Sequence, residues 1–480
     1  MNDLAHKDRA IRRFFTHAIL ALPLFIFLPS TFAQRFSVRY NFGTGSDDPA
    51  RPGNSGTIAQ GRDGNLYSTG TIGGVGGFGA VFRITPAGKL AVLYSFDGTH
   101  GSYPSGGLTL GTDGNFYGTT FYGGSTNNGT IFRISPAGNL IVLHNFSGPD
   151  GAHPTSSPMQ ASDGNFYGMT YEGGTGPCSA GCGTVYKITG GRFTKLYDFD
   201  QTHGWNPTDP LIEGRDGSFY GTASYGGTNN NLRGVFFRIT PAGTLTVLYN
   251  FDDPNGSHPY GSLTQLDDGN FYGTTTSGGA GGVGVVFKVT PTGVQSVLHS
   301  MTSDTDGGFP TSTLLLSGGK LYGANGYWGP LGFGTLFTLT ANGNFSIIHS
   351  FDMASGAQPL ASLVQHTNGV FYGDTYYGGV GQLTWCVATD CGVFYSVSVN
   401  QPPFIAFLPN SGEVGSTVQI LGQGLNTATN VSFNGIAASF SVLRDSFLTA
   451  IVPAGATKGF ITVTTSAGVL KSNKQFRVRP

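Results

Sequence analysis

The chain has 480 residues, a formal net charge of −1 and only 11% charged residues, which leaves no basic footprint for nucleic acid or for an anionic membrane surface. Its 78 glycines follow no three-residue period and gather at turns between short apolar runs. This excludes a collagen-like chain and points to hairpins.

The N-terminus reads as a targeting segment. Lys7, Arg9, Arg12 and Arg13 form a basic region, residues 14–28 are mostly apolar, and Thr31-Phe32-Ala33 is a small-residue cleavage site. The apolar run is short for a membrane span, which takes about 20 residues. Residues 1–33 are therefore expected to be a signal peptide cut after Ala33. Arg12-Arg13 followed by Phe15 faintly resembles a twin-arginine signal, but Ile11 stands where Ser or Thr is usual, which favours the general secretory route. Gln34 rather than Cys follows the cut, against a lipoprotein anchor. No other stretch is long and apolar enough to span a membrane. The mature chain is expected to be secreted, extracellular or at the cell surface, with the periplasm as the alternative.

From residue 34 to residue 400 one unit recurs. Its signature, Asp-Gly-Asn-Phe-Tyr-Gly in the cleanest copies, places a tyrosine at Tyr67, Tyr117, Tyr167, Tyr220, Tyr272, Tyr322 and Tyr372, with gaps of 50, 50, 53, 52, 50 and 50 residues. Such a period marks a propeller or array whose units bury a core only against their neighbours. In the second copy, residues 107–110 and 116–120 read as strands joined by a tight Asp-Gly turn. A Gly/Asn-rich loop, 122–129, leads to a third strand at 130–135, and Pro136-Ala137-Gly138 turns the chain into a fourth at 140–146. Four antiparallel strands per repeat make one propeller blade. The phase of the ends matters: the mature chain opens on a fourth strand (36–42), whereas the last repeat stops after a third, near Val399. Joining the two completes a seven-bladed β-propeller closed by the N-terminal strand and leaves no open sheet edge.

The run Asp-Gly-Asn-Phe-Tyr-Gly-Thr-Thr, the following Gly-Gly, and Gly-Thr-Ile-Phe-Arg-Ile-Ser-Pro-Ala-Gly at 129–138 resemble the GloVer tandem repeat of secreted bacterial proteins and, more loosely, NHL-type propeller repeats. The resemblance covers about 35–400. It implies export and surface display and names no catalytic residues. The sixth copy, Leu321-Tyr322-Gly323-Ala324-Asn325, departs furthest from the pattern.

Gln401-Pro402-Pro403 is a stiff break beyond which the period vanishes. Residues 401–480 read as a small all-β sandwich, with short strands expected at 404–409, 412–420, 431–435, 448–452, 459–464 and 475–478. Pro409-Asn410-Ser411-Gly412, Gly422-Gln423-Gly424-Leu425, Phe433-Asn434-Gly435 and Val452-Pro453-Ala454-Gly455 are similar, in order, to an IPT/TIG immunoglobulin-like domain.

Chemistry is sparse. Cys178 and Cys182, and Cys386 and Cys391, each fall in a second-to-third-strand loop. In an exported chain, two local disulfides, Cys178–Cys182 and Cys386–Cys391, are expected. The turn aspartates Asp63, Asp113, Asp163, Asp216 and Asp268 are expected to stabilise their own turns rather than to act as a carboxylate set. Asp304-x-Asp306-Gly307 hints at a calcium loop but lacks the remaining ligands. Only Glu172 and Glu213 offer glutamates in the repeat region, and no nucleophile elbow or His-rich metal spacing is visible. His144, His299 and His349 share a fourth-strand position with Tyr40, Tyr94, Tyr197 and Tyr249, as packing residues would. The reading is of a protein that is not an enzyme and takes no cofactor and no metal.

The two faces of the ring differ. First-to-second and third-to-fourth links are tight turns, while the long loops share the opposite face and carry Tyr, Trp and His. Aromatics among Asn and Gly resemble an adaptable binding surface. Trp205, Tyr225, Trp328, Tyr377, Tyr122 and His203 are the candidate ligand contacts. The function expected is non-enzymatic binding or display, engaging a cell-surface glycan, another surface polymer or a protein, by a monomer. The alternatives are a structural or adhesive envelope protein and a propeller-type polysaccharide hydrolase or lyase.

Overall fold

The repeated signature closes its own turn. In the second repeat, Asp113 Oδ1 accepts the Asn115 backbone N–H at 3.1 Å, and Oδ2 accepts the Asn115 amide at 2.7 Å and the Tyr117 hydroxyl at 2.9 Å. The same triplet recurs at Asp63, Asp163 and Asp268. The glycine after the tyrosine has a separate cause. A Cβ on Gly118 would lie 2.5 Å from the Phe132 ring, and one on Gly273 would lie 2.7 Å from Phe287. The third-strand aromatic crosses the second strand at this point, so the position must lack a side chain.

A computed structural model describes residues 35–52, 57–228, 232–380 and 391–479. The expected signal peptide lies outside the described residues, which form an all-β, propeller-like structure with one 3₁₀ turn, Leu425–Thr427, and no α-helix among them. In the second repeat, Thr109–Leu110, Phe116–Thr120, Thr130–Ile134 and Leu140–Asn145 form one antiparallel sheet in that order. Seven such sheets occupy the described residues from 35 to 398. Three gain a short fifth strand that was not expected, at Pro49–Pro52, Ser257–Pro259 and Gly308–Pro310. In each sheet the third-to-fourth pairing shifts register, as between Val142 and His144, and the bulge increases the local twist.

Arg35–Asn41 pairs antiparallel with Val393–Ser398, Arg35 opposite Ser398 and Asn41 opposite Val393. Gln60 Nε2 donates to Thr367 Oγ1 at 2.8 Å while the Thr367 N–H donates to Gln60 Oε1 at 2.9 Å. Apolar clusters lie between consecutive sheets: Tyr117, Phe146, Phe166 and Tyr186 join the second to the third, and Phe42, Phe82, Tyr372 and Phe394 join the last to the first. Residues in or just before the strand that leads each of the seven sheets into its tight turn, including Ile58, Leu110, Met159, Ile212, Leu263, Leu314 and Leu363, line one cavity of about 540 Å³.

Residues 406–479 form two further sheets that share a core of Phe407, Ile420, Leu448, Val431, Ile461 and Phe476. The strand expected at 431–435 ends at Phe433, because Asn434 and Gly435 adopt φ of 47° and 90° and reverse the chain into Ile436–Ala438. The segment expected at 475–478 is part of a 12-residue strand, Gly468–Arg479. This sandwich docks on the tight turns. Arg62 Nη2 donates to Gln419 Oε1 at 2.7 Å and to the Thr112 carbonyl at 2.8 Å, its guanidinium lies 4.8 Å from the Phe447 ring centre, and Ser446 Oγ donates to the Arg62 carbonyl at 2.7 Å. Leu408, Asn473 and Lys474 reach the wall of the central cavity.

Candidate functional site

With the sandwich seated on the tight turns, the long loops carry the free face. There the chain repeats a backbone feature that the periodicity of apolar residues did not reveal. Arg51, Tyr103, His153, Asn206, His258, Phe309 and Gln358 each precede a proline, one per repeat, and each has φ between 47° and 59°. Left-handed backbone in a residue other than glycine costs on the order of 1–3 kcal/mol and persists where neighbours over-determine it. The neighbour is the preceding sheet. The Tyr103 N–H donates to the Phe78 carbonyl, His153 to Asn128, His258 to Arg233 and Arg51 to Cys391, all at 2.9 Å, and each acceptor stands just before the glycine that enters a third strand.

Five of these side chains emerge between buried flanking residues and meet the aromatics that follow the second strands. Tyr103 and Tyr122 lie edge to face at 5.9 Å, and His153 stacks on Phe121 at 4.8 Å and donates or accepts at Glu172 Oε2 over 2.8 Å. His258 meets Tyr225 at 4.9 Å, and Phe309 meets Tyr327 at 5.4 Å. Arg51 lies over Tyr377 at 5.1 Å. A concavity of about 250 Å³ opens among Tyr171, Tyr225, His258, Tyr260 and Phe309. Burial, aided by the nearby Arg233 charge, lowers the His258 pKa, so the ring is neutral there. Beside the concavity residue Thr208, Asp209 Oδ2 accepts Thr208 Oγ1 at 2.8 Å and the Gly261 N–H at 2.6 Å. Burial pushes the Asp209 carboxyl up to about 6.

The residues singled out in the sequence fall at different places. Tyr122, Tyr225 and Trp328 are exposed, at 39%, 38% and 43%, and Trp205 and Tyr377 are partly buried. Trp205 and Tyr225 face each other at 6.0 Å, but Trp205 also packs on the buried cluster that contains Cys182 and Phe199. Tyr122, Trp328 and Tyr377 belong to other repeats, so the set does not form one cluster. His203 stands apart from these loop aromatics: its ring meets Tyr197 edge-on at 6.5 Å and its Nδ1 is held by Asp200 Oδ2 at 2.9 Å, where it orders its own loop. Cys178 and Cys182 form a disulfide. In the second pair Cys391 is buried, and Cys386 lies outside the described residues. Asp306 accepts from His299 and Thr302 side chains, and among the described residues no group of three His, Cys, Asp or Glu is placed to hold a metal ion. The pre-proline set was legible as an X-Pro step at constant phase, but X-Pro ordinarily reads as extended backbone.

The Gloeobacter/Verrucomicrobia repeat family matches residues 25–180, 138–305 and 214–429. No curated protein sequence matches this chain. Among solved structures, a fungal alcohol oxidase of the AA5 family in complex with copper is similar over 93% of this chain and 99% of its own, with a TM-score of 0.50 and 13% identity. A gluconolactonase from Xanthomonas campestris is similar over 76% of this chain and 89% of its own, with a TM-score of 0.39 and 12% identity. At such identities the likeness concerns the fold alone. The chain belongs to the Gloeobacter/Verrucomicrobia repeat family.

Proposed function

We propose that this Gloeobacter/Verrucomicrobia repeat protein is an exported, non-enzymatic binding or display protein whose long-loop face engages a glycan or another cell-surface polymer. In this reading residues 1–33 are a signal peptide, 34–400 are a seven-bladed ring, and 401–480 are an IPT/TIG-like sandwich that covers the turn face. Ring closure is supported by the pairing of Arg35–Asn41 with Val393–Ser398 and by the paired Gln60–Thr367 hydrogen bonds. The protein works as a monomer, without cofactor.

The observation that carries the reading is the exposure of Tyr122, Tyr225 and Trp328 on the one face that the sandwich leaves free. Large aromatic faces left in water supply apolar area for a sugar ring at low entropy cost. A structural envelope role would not need them. The test is a glycan array with the mature protein, followed by Tyr225→Ala and Trp328→Ala. Binding is expected to fall about three- to tenfold per variant, the worth of one aromatic contact, with the melting temperature held. Unchanged binding in both variants would refute the assignment of the face.

A further inference from the structure

Among the described residues, twelve residues other than glycine have positive φ, and seven of them are the pre-proline residues. This chain holds 78 glycines and places them at most of its left-handed positions. Glycine would relieve the strain at the pre-proline position, yet none of the seven repeats places it there. The residue after is always proline, the residue before is buried in six of the seven copies, and the backbone N–H bond to the preceding sheet recurs. Only the side chain changes: arginine, tyrosine, histidine, asparagine, histidine, phenylalanine and glutamine, in order. Side chains that merely plugged equivalent crevices would share a size and polarity, and these do not. A constant strained backbone that presents a different side chain in each repeat is the arrangement of a reading surface.

Building on the proposed binding role of this face, we infer that the seven pre-proline side chains form the ring that reads the ligand, and that the ligand is a neutral, hydroxyl-rich glycan. The aromatic members and their shelves, Tyr103 on Tyr122 and Phe309 on Tyr327, offer ring faces, while Gln358 and His258 offer polar groups beside the Asn206 amide, which also donates to the Tyr171 carbonyl at 2.8 Å, and His153, which is held by Glu172. The surrounding charge selects against acidic polymers. Every loop leading from a fourth strand carries at least one aspartate, as at Asp97, Asp200 and Asp306, each held by local histidine or hydroxyl donors. Arg51 is the single permanent cation in the reading ring.

The experiment is affinity electrophoresis of the mature protein in gels containing soluble β-glucan, mannan, xylan or polygalacturonate, with Tyr103→Gly, His258→Gly and Phe309→Gly beside wild type. Val294→Ala, on a tight turn of the opposite face, is the control. Wild type is expected to be retarded by at least one neutral polymer and not by polygalacturonate. The glycine variants are expected to lose most of that retardation while melting at or above the wild-type temperature, because the strain has been released. Loss of binding with unimpaired stability is the signature a packing role cannot produce. Full retardation of the glycine variants, or a melting temperature lowered by several degrees in all three, overturns the reading ring and leaves the binding face standing. Preference for polygalacturonate overturns the neutral assignment. Retardation of wild type by none of the polymers removes the binding role of the face, and the ring with it.

Discussion

The N-terminal strand is anchored by a contact that acid should break. Phe36 stacks on the His349 ring at 3.7 Å and 4° between planes, and His349 Nε2 is buried without a hydrogen-bond partner. Burial lowers the His349 pKa to about 4 against a partial opposing pull from Asp352. The native ring is therefore neutral, and the folded pKa lies below the unfolded value of about 6.5. Stability from this site is fully present above about pH 6.5 and is lost as pH falls toward 4. At about 1.4 kcal/mol per unit the full shift would be worth about 3 kcal/mol. The ring is partly exposed, and solvent screening brings the expected loss nearer 1–2 kcal/mol. Hydrogen exchange of residues 35–41, corrected for intrinsic rates and followed from pH 7 to 4, measures the opening free energy directly. His349→Tyr restores the residue that four other repeats carry and should flatten the dependence. His144, which stacks on Phe193 at 3.7 Å but is held by Asp150 at 2.9 Å, provides an internal comparison in Leu140–Asn145. Opening energies for 35–41 that stay flat across this range, or that fall equally in His349→Tyr, would refute the argument.

Other outcomes follow from the same contacts. Asp268→Ala removes the acceptor of three hydrogen bonds and should lower stability in urea by about 1–2 kcal/mol. Although burial alone would raise their pKa values, the Asn and Tyr donors hold Asp113, Asp163 and Asp268 below the ordinary carboxylate range, so their contribution should persist above about pH 4 and be lost below it in an acid titration of the fold. Gly273→Ala drives a methyl into the Phe287 ring and should cost about 1–3 kcal/mol, read as a lower melting temperature. Arg62→Ala strips Gln419 and the Thr112 carbonyl of a charged donor and should weaken docking of the sandwich by about 2–3 kcal/mol, visible in calorimetry as a transition that separates from that of the repeats.

The repeat was legible because its signature is chemically self-contained. An aspartate, an asparagine and a tyrosine within five residues satisfy one another, so the turn can be read without knowing what surrounds it. The fifth strands at Pro49–Pro52 and Gly308–Pro310 were not, because their pairing is decided by the neighbouring sheet rather than by local alternation. The same limit applies to Trp205. Its sequence position matches a loop aromatic, but part of its ring packs on the buried cluster that contains Cys182, and a disulfide-bearing loop in one repeat leaves no periodic trace.

The pre-proline ring shows why local rules misread this face. Proline restricts the residue before it toward extended backbone, and any one of these seven dipeptides in isolation supports that expectation. What reverses it is a single N–H bond to a carbonyl of the preceding sheet, as from Tyr103 to Phe78, 25 residues earlier, which exists only when two sheets are already packed. Strain at this position is therefore a product of the assembled repeats and is absent from each repeat alone. The side chains at the seven positions are then free to vary without altering the turn that holds them, because the conformation is fixed by backbone hydrogen bonds to the preceding sheet. A fold that separates the two in this way can change the side chains on this face at seven points while its core, its turns and its sheet pairing stay the same.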